Sequence, residues 1–304
     1  MKKIFLIFTL LLSLACTSHA IEKRIQGKYR GTIGSLVVYS TNVDCECKEQ
    51  EIHLLNTTNM KDSCLDGNNA FVSGEDIYYN LANKIHLLHF KDHSFKDSVV
   101  YCGKYEIQDF HIQGNELLVV ENYSNESEDK ALLYFCRNND KTLVLTHNLP
   151  SQELEGQLAN IFKWKNFYII QIRYGLYIFD SKTSKLTTIN KSTSDAAIDT
   201  EGNVYYTTYS VEEGTLLRTF HLSDINNGPI DAISKEISIT SFNGFIPCFI
   251  NCGRRNPYVE SNKKYYLLED GKLKSFPTTP LFLDTNHKVR LDSKNPDYFI
   301  VSHP

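Results

Sequence analysis

A chain of 304 residues with 41% hydrophobic and 22% charged side chains is long enough for one large core and too apolar for wholesale disorder. Its formal charge of −4, with no block of Lys and Arg, excludes the electrostatic footprint of a nucleic-acid binder. Eighteen Tyr and seventeen Phe against two Met favour pleated, half-buried surfaces over helix packing.

Residues 1–20 read as a signal peptide: Lys2 and Lys3 form a basic start, Ile4 to Leu14 an apolar stretch, and Ser18-His19-Ala20 a small-x-small cleavage site. The stretch "LSLAC", with Ala15 directly before Cys16, leaves a lipoprotein site as the alternative. No later stretch has the ~18 uninterrupted apolar residues of a membrane helix. "FYIIQIRYGLYIF" comes nearest and is broken by Arg173 and Gly175. Residues 21–304 are therefore expected to form one secreted, extracellular domain with no membrane span.

Seven cysteines follow the leader: Cys45, Cys47, Cys64, Cys102, Cys136, Cys248 and Cys252. In an oxidising compartment they are disulfide candidates, with one left over. The spacings Cys45-x-Cys47 and Cys248-x3-Cys252 do not make the paired C-x2-C knuckles of structural zinc. Asn56, Asn122, Asn125 and Asn190 head N-x-S/T sequons that permit glycosylation. Asn, Ser and Thr are frequent enough that this many sequons arise by chance.

The dominant signal is a repeat. "AAIDTEGNVYYTT" reads as a strand, a Gly202-Asn203 turn and a Tyr-rich strand, followed by a third apolar run, "LLRTFHL". The same order recurs: "TIGSLVVYS" precedes "EIHLLNTTN", "FVSGEDIYYN" precedes "KIHLLHFKD", "FHIQGNELLVV" precedes "ALLYFCRNND", and "IFKWKNFYII" precedes "GLYIFDSKT". "ITSFNGFIPCFI" before "KYYLLEDGK" and "LFLDTNHKVRL" before "DYFIVSHP" complete the series. The first residues after the turns are Val37, Ile77, Leu117, Phe167, Val204, Phe245 and Val289, a mean spacing of 42 residues. Several short strands per unit at this period predict an all-β chain folded as a single β-propeller. Seven blades follow from the anchors. Six follow if residues 27–56 instead close the ring against the final unit. A pair of β-sandwiches or a β-helix is the competing architecture.

"AIDTEGNVYYT" is similar to the D-x-x-G-N-x-Y segment shared by NHL repeats, gluconolactonase-like propellers and the insect yellow proteins. It also resembles a unit of the secreted ommochrome-binding proteins of insects. Asp199, Gly202, Asn203 and Tyr205 carry the likeness, over about Leu158 to Leu222, and they chiefly build a blade turn. The insect resemblance implies a non-enzymatic carrier of a small, aromatic, pigment-like ligand. The yellow proteins imply binding of small amines or proteins. The gluconolactonase-like resemblance implies a metal-dependent lactonase-like hydrolase with one divalent cation, such as calcium, held by oxygen ligands on the axis. Those ligand positions have no residue-by-residue match here. Neither G-x-S-x-G nor H-E-x-x-H occurs, and no catalytic residue is assigned.

Propellers bind at the end of the axis where loops lead into the innermost strands. Counted back from the anchors, those positions fall near Asn69, Asp109, Asn160, Asp195 and Thr240, the expected ligand-binding residues. The partner is then a small molecule or an extracellular protein, in a site without a cofactor. His86, His89 and His93 have a spacing that could hold zinc on a helix; on the expected outer strand His86 and His89 point to opposite faces. Trp164, the only tryptophan, falls beside a blade turn, where it packs or walls a ligand.

Overall fold

The computed structural model describes residues 22–41, 51–91, 94–138, 140–149, 159–189, 193–210, 214–237, 249–250, 257–261, 264–275, 282–292, 294 and 298–302. These form seven antiparallel sheets, six four-stranded and one three-stranded. Sheet 1 runs Lys28–Ile33, Leu36–Thr41, Glu51–Asn56, Asp62–Asp66; sheet 2 runs Ala70–Ser73, Asp76–Leu81, Lys84–Lys91, Ser94–Cys102. Sheet 3 is Glu106–Gln113, Glu116–Ser124, Asp129–Arg137, Asp140–Leu149, and sheet 4 is Ala159–Trp164, Phe167–Ile172, Gly175–Asp180, Lys185–Ile189. Sheet 5 comprises Thr193–Ile198, Asn203–Ser210, Gly214–His221 and Lys235–Glu236; sheet 6 comprises Phe249–Ile250, Tyr258–Ser261, Lys264–Glu269 and Lys272–Ser275. Sheet 7 joins Val289–Leu291 and Tyr298–Ser302 to the N-terminal strand Glu22–Gln26. Among the described residues no helix is long and apolar enough to cross a membrane.

The middle strands of sheet 4 are largely apolar because neighbours cover both faces. In Phe167–Ile172, Tyr168, Ile170 and Ile172 face sheet 3, and Ile169 faces sheet 5. The next strand repeats the division, with Tyr177 and Phe179 on one side and Leu176 and Ile178 on the other. This is the two-residue side-chain period of a strand read by two interfaces at once. Each of these fully buried aliphatic side chains contributes about 1.5–3 kcal/mol.

Every apolar cluster of the described residues joins two consecutive sheets: 1 with 2, 2 with 3, 3 with 4, 4 with 5 and 5 with 6. The last joins sheet 7 to sheet 1, where Phe299 meets Tyr39 edge-on at 5.4 Å. The chain closes through Glu22–Gln26, which pairs with Tyr298–Ser302. Arg24 donates to Asp292 at 2.6 Å and lies over the Tyr298 ring, and Arg290 donates to Glu22 at 3.0 Å. The architecture is a β-propeller. Residues 28–66 make their own sheet, so the closing strand lies N-terminal to the segment weighed for that role from sequence.

Five of the seven anchors sit on the second strand of their sheet, Val289 opens the edge strand Val289–Leu291 of sheet 7, and Phe245 lies outside the described residues. The cysteine expectation needs correction where it can be read. Cys64, Cys102 and Cys136 are free thiols, carried on strands of three different sheets. Cys45, Cys47, Cys248 and Cys252 lie outside the described residues. Of the sequons, Asn125 is exposed, and its Oδ1 accepts the N–H groups of Ser127 and Glu128 at 2.9 Å. Asn56 and Asn122 are half-buried on strands, and Asn190 is outside the described residues.

Candidate functional site

The first strands of consecutive sheets from sheet 1 to sheet 6 lie side by side. Those of sheets 1 to 5 line an open channel of about 800 Å³, which the segment before sheet 7 also lines. Strands crowded round an axis with this much space leave their inward side chains facing one another across it, the arrangement that makes a propeller axis a binding site.

Of the positions expected from sequence, Asn69, Asp109 and Asn160 line this channel together. Asp195 lies on the first strand of sheet 5, Thr193–Ile198, and Thr240 falls outside the described residues. Polar links step from sheet to sheet round the wall. Arg30 of sheet 1 donates from Nη2 to Asn69 Oδ1 at 3.1 Å and from Nε to Ser40 Oγ at 2.9 Å. Asn69 donates from Nδ2 to the Gln108 carbonyl of sheet 3 at 3.0 Å. Asp109 accepts from the N–H groups of Phe110, at 2.9 Å, and of Ile161 in sheet 4, at 2.8 Å.

Desolvation, partly opposed by Asp109, brings the Arg30 guanidinium down to about 10, so it stays a cation at neutral pH. Desolvation likewise raises the Asp109 carboxyl to about 6, against the pull of Lys28, the two N–H donors and Arg30. Deeper in the wall of sheets 3 and 4, Glu116 accepts from Lys163 at 3.0 Å, Arg137 at 2.6 Å and the Tyr168 hydroxyl at 3.0 Å. Desolvation alone would raise its pKa, but these donors hold it below the ordinary value.

Aromatic rings complete the lining. Trp164 donates from Nε1 to the Thr200 carbonyl at 3.1 Å, meets His221 edge-on and carries the Lys165 ammonium 3.9 Å above its ring. It packs and lines the channel at once. Gly202 approaches so closely that a Cβ there would lie 2.5 Å from the indole, at a φ of +98°. Phe71 and Phe162 line the same space.

His111 stands between Phe71, with ring centroids 4.7 Å apart, and Tyr168 at 5.7 Å, and its Nδ1 has no hydrogen-bond partner. Desolvation, then Lys163, bring its imidazole from 6.5 down to about 4, with Glu116 pulling the other way. A folded pKa below the unfolded one gives stability that is present above about 6.5 and lost as pH falls towards 4. His111→Phe keeps a ring in the gap and removes the titration. Between pH 6.5 and 4.5 the variant is expected to lose about 2 kcal/mol less than the parent in urea denaturation, the partial exposure of the ring discounted. Asp109, with its raised pKa, acts with opposite sign over the same interval and cancels from the comparison. Equal losses in the two proteins would contradict the assignment.

His86 and His89 share the strand Lys84–Lys91 and separate across it. His86 stacks on Tyr79 and meets Asp97 at 3.2 Å, whereas His89 meets Asp76 at 2.6 Å. His93 is outside the described residues. Arg30, Lys28, His111, Phe71 and Phe162 are absent from the sequence expectation. The repeat could have found the first: eight residues back from Val37 is Tyr29, beside Arg30.

No protein-family model and no curated protein matches the sequence. Solved structures match the fold. The extracellular domain of BT4673 from B. thetaiotaomicron is similar over 93% of this chain and 40% of its own, with a TM-score of 0.51 and 12% identity. The Pyrococcus horikoshii acylaminoacyl peptidase is similar over 85% of this chain and 47% of its own, at a TM-score of 0.49 and 13% identity. The β-propeller domain of the Trilobed protease from Pyrococcus furiosus is similar over 88% and 90%, at a TM-score of 0.46 and 12% identity. The chain thus spans less than half the length of the first two. Identities this low speak to the fold alone.

Proposed function

We propose that the protein is a secreted carrier, one ring of seven blades that holds a small organic molecule in its axial channel and performs no chemistry on it. The observation that carries this reading is the channel itself. About 800 Å³ of open space is lined by cations, carboxylates, amides and aromatic rings, a concave site with room for a drug-sized ligand. Secretion is supported by the basic start at Lys2 and Lys3, the apolar stretch Ile4 to Leu14 and the Ser18-His19-Ala20 site. The aromatic lining agrees with the pigment-like ligand implied by the insect resemblance.

The hydrolase reading fits less well. Asp109, Asp199 and Asp284 line the channel; Asp109 and Asp199 already accept hydrogen bonds on both oxygens, and Asp284 Oδ2 alone is without a partner among the described residues, too few oxygens for a cation site. A protein-binding role has one observation in its favour. The outermost strand of sheet 2 exposes Phe95, Val99 and Val100 by 40–50%.

Asn160 lines the channel and its side chain makes no hydrogen bond among the described residues, so Asn160→Trp fills the space without breaking a side-chain link. Solvent extraction of the natively secreted protein is expected to release about one equivalent of a small molecule from the parent, and less than about a tenth of that from the variant at an unchanged melting temperature. A parent that releases nothing overturns the carrier reading.

A further inference from the structure

We infer that the molecule in the channel is an organic anion, a flat ring system bearing a carboxylate or an equivalent acidic group, with the acid held by Arg30 and the ring against Phe71, Phe162 and Trp164. The inference rests on the channel being a binding site, and it follows from a census of charge in the wall. Glu116 is matched by Lys163 and Arg137. The two oxygens of Asp109 each hold a backbone N–H. Asp284 accepts the Val289 N–H on Oδ1, and its Oδ2 has no hydrogen-bond partner among the described residues. Arg30 is the guanidinium of the wall that touches no carboxylate. It presents five donor hydrogens, yet its contacts are a hydroxyl and an amide oxygen, both neutral, and among the described residues no carboxylate lies within ion-pairing distance of it.

A half-buried guanidinium whose nearest carboxylate, Asp109, acts on it without an ion-pair contact is costly, and a ligand anion would supply the missing contact. The group is also held in place. Asn69 fixes Nη2 while its own amide is tied to Gln108, and Ser40 fixes Nε. The planar fork is therefore oriented before any ligand arrives, the condition under which it binds a carboxylate bidentately. Lys28, two residues earlier on the same strand, lines the same channel. Lys165, over the face of Trp164, adds a second cation near the aromatic wall.

The test is calorimetric titration with three probes of one shape, 2-naphthoate, 2-naphthamide and 2-naphthylmethylamine, read alongside Trp164 emission. The acid is expected to bind at least about tenfold more tightly than the amide, and the amine more weakly than either. That preference falls below about twofold in Arg30→Gln and survives in Arg30→Lys, which keeps the charge and controls for folding. Equal affinities for acid and amide, or a preference that persists in Arg30→Gln, overturn the anionic subsite and leave the channel reading intact. If no probe binds, the extracted cargo decides: an anion supports the inference, a neutral or cationic molecule overturns it, and no cargo overturns the channel reading with it.

Discussion

Asp199→Ala is expected to lower the unfolding free energy by about 3–4 kcal/mol, one of the two largest single-residue effects in the molecule. Asp199 is 3% exposed, and one of its oxygens accepts three backbone N–H groups, from Glu201 at 3.0 Å and from Gly202 and Asn203 at 2.9 Å. The other accepts the Asn203 amide at 2.8 Å and the Tyr205 hydroxyl at 2.7 Å. That hydroxyl in turn accepts the N–H of Gly271 in the neighbouring sheet at 2.9 Å, so the turn is also a tie between sheets 5 and 6. Alanine leaves several buried donors unsatisfied at once. Asp199→Asn keeps the oxygen that holds the backbone and is expected to lose only about 1–2 kcal/mol. Denaturant melts of the two variants check the ordering, and an alanine variant as stable as the asparagine one would contradict it.

Glu121→Ala has an expected effect of the same size, about 3–4 kcal/mol, because it removes the shared acceptor of two backbone donors and a phenol; the exposed Lys141 ammonium adds little. Glu121 has no exposed surface. It accepts from the Tyr101 hydroxyl at 2.5 Å and the Lys141 ammonium at 2.8 Å, and from the N–H groups of Lys104 and Tyr105 at 3.1 and 3.2 Å. Those partners come from sheet 2, from sheet 3 and from the short connection between them, so one carboxylate pins the place where two sheets meet. Burial first, then this carboxylate, pushes the Tyr101 phenol far above its ordinary pKa. The melting temperature is expected to fall by about 6–12 °C in Glu121→Ala and by about half as much in Glu121→Gln, which keeps an acceptor. Parent-like melting of the alanine variant would show that the network carries no stability.

What could be read from the sequence was whatever the chain repeats or builds locally. The 42-residue spacing is a property of neighbouring segments, and it led to the second strand of sheets 1 to 5. The Asp199 turn spans seven residues, Asp199 to Tyr205, and its residue types announce its hydrogen bonds. Asn69, Asp109 and Asn160 were found because the repeat supplies their register. The rest depends on partners far apart in the chain. Arg30 meets Asn69 at a separation of 39 residues, and Asp109 meets Ile161 at 52. Glu121, in "VVENYS", reads as an exposed strand residue until Tyr101 and Lys141 are brought to it. The free thiols of Cys64, Cys102 and Cys136 have the same origin, since pairing rules see the compartment and the count but not which sheet carries each residue.

The most direct test of the central claim is a crystal structure of the protein purified from its natural secretion, without added ligand. The account predicts one flat molecule along the propeller axis, with an acidic group within hydrogen-bonding reach of Arg30 and a ring against Trp164. A channel filled with water alone, with a partner protein seated on the outermost strand of sheet 2, would contradict it.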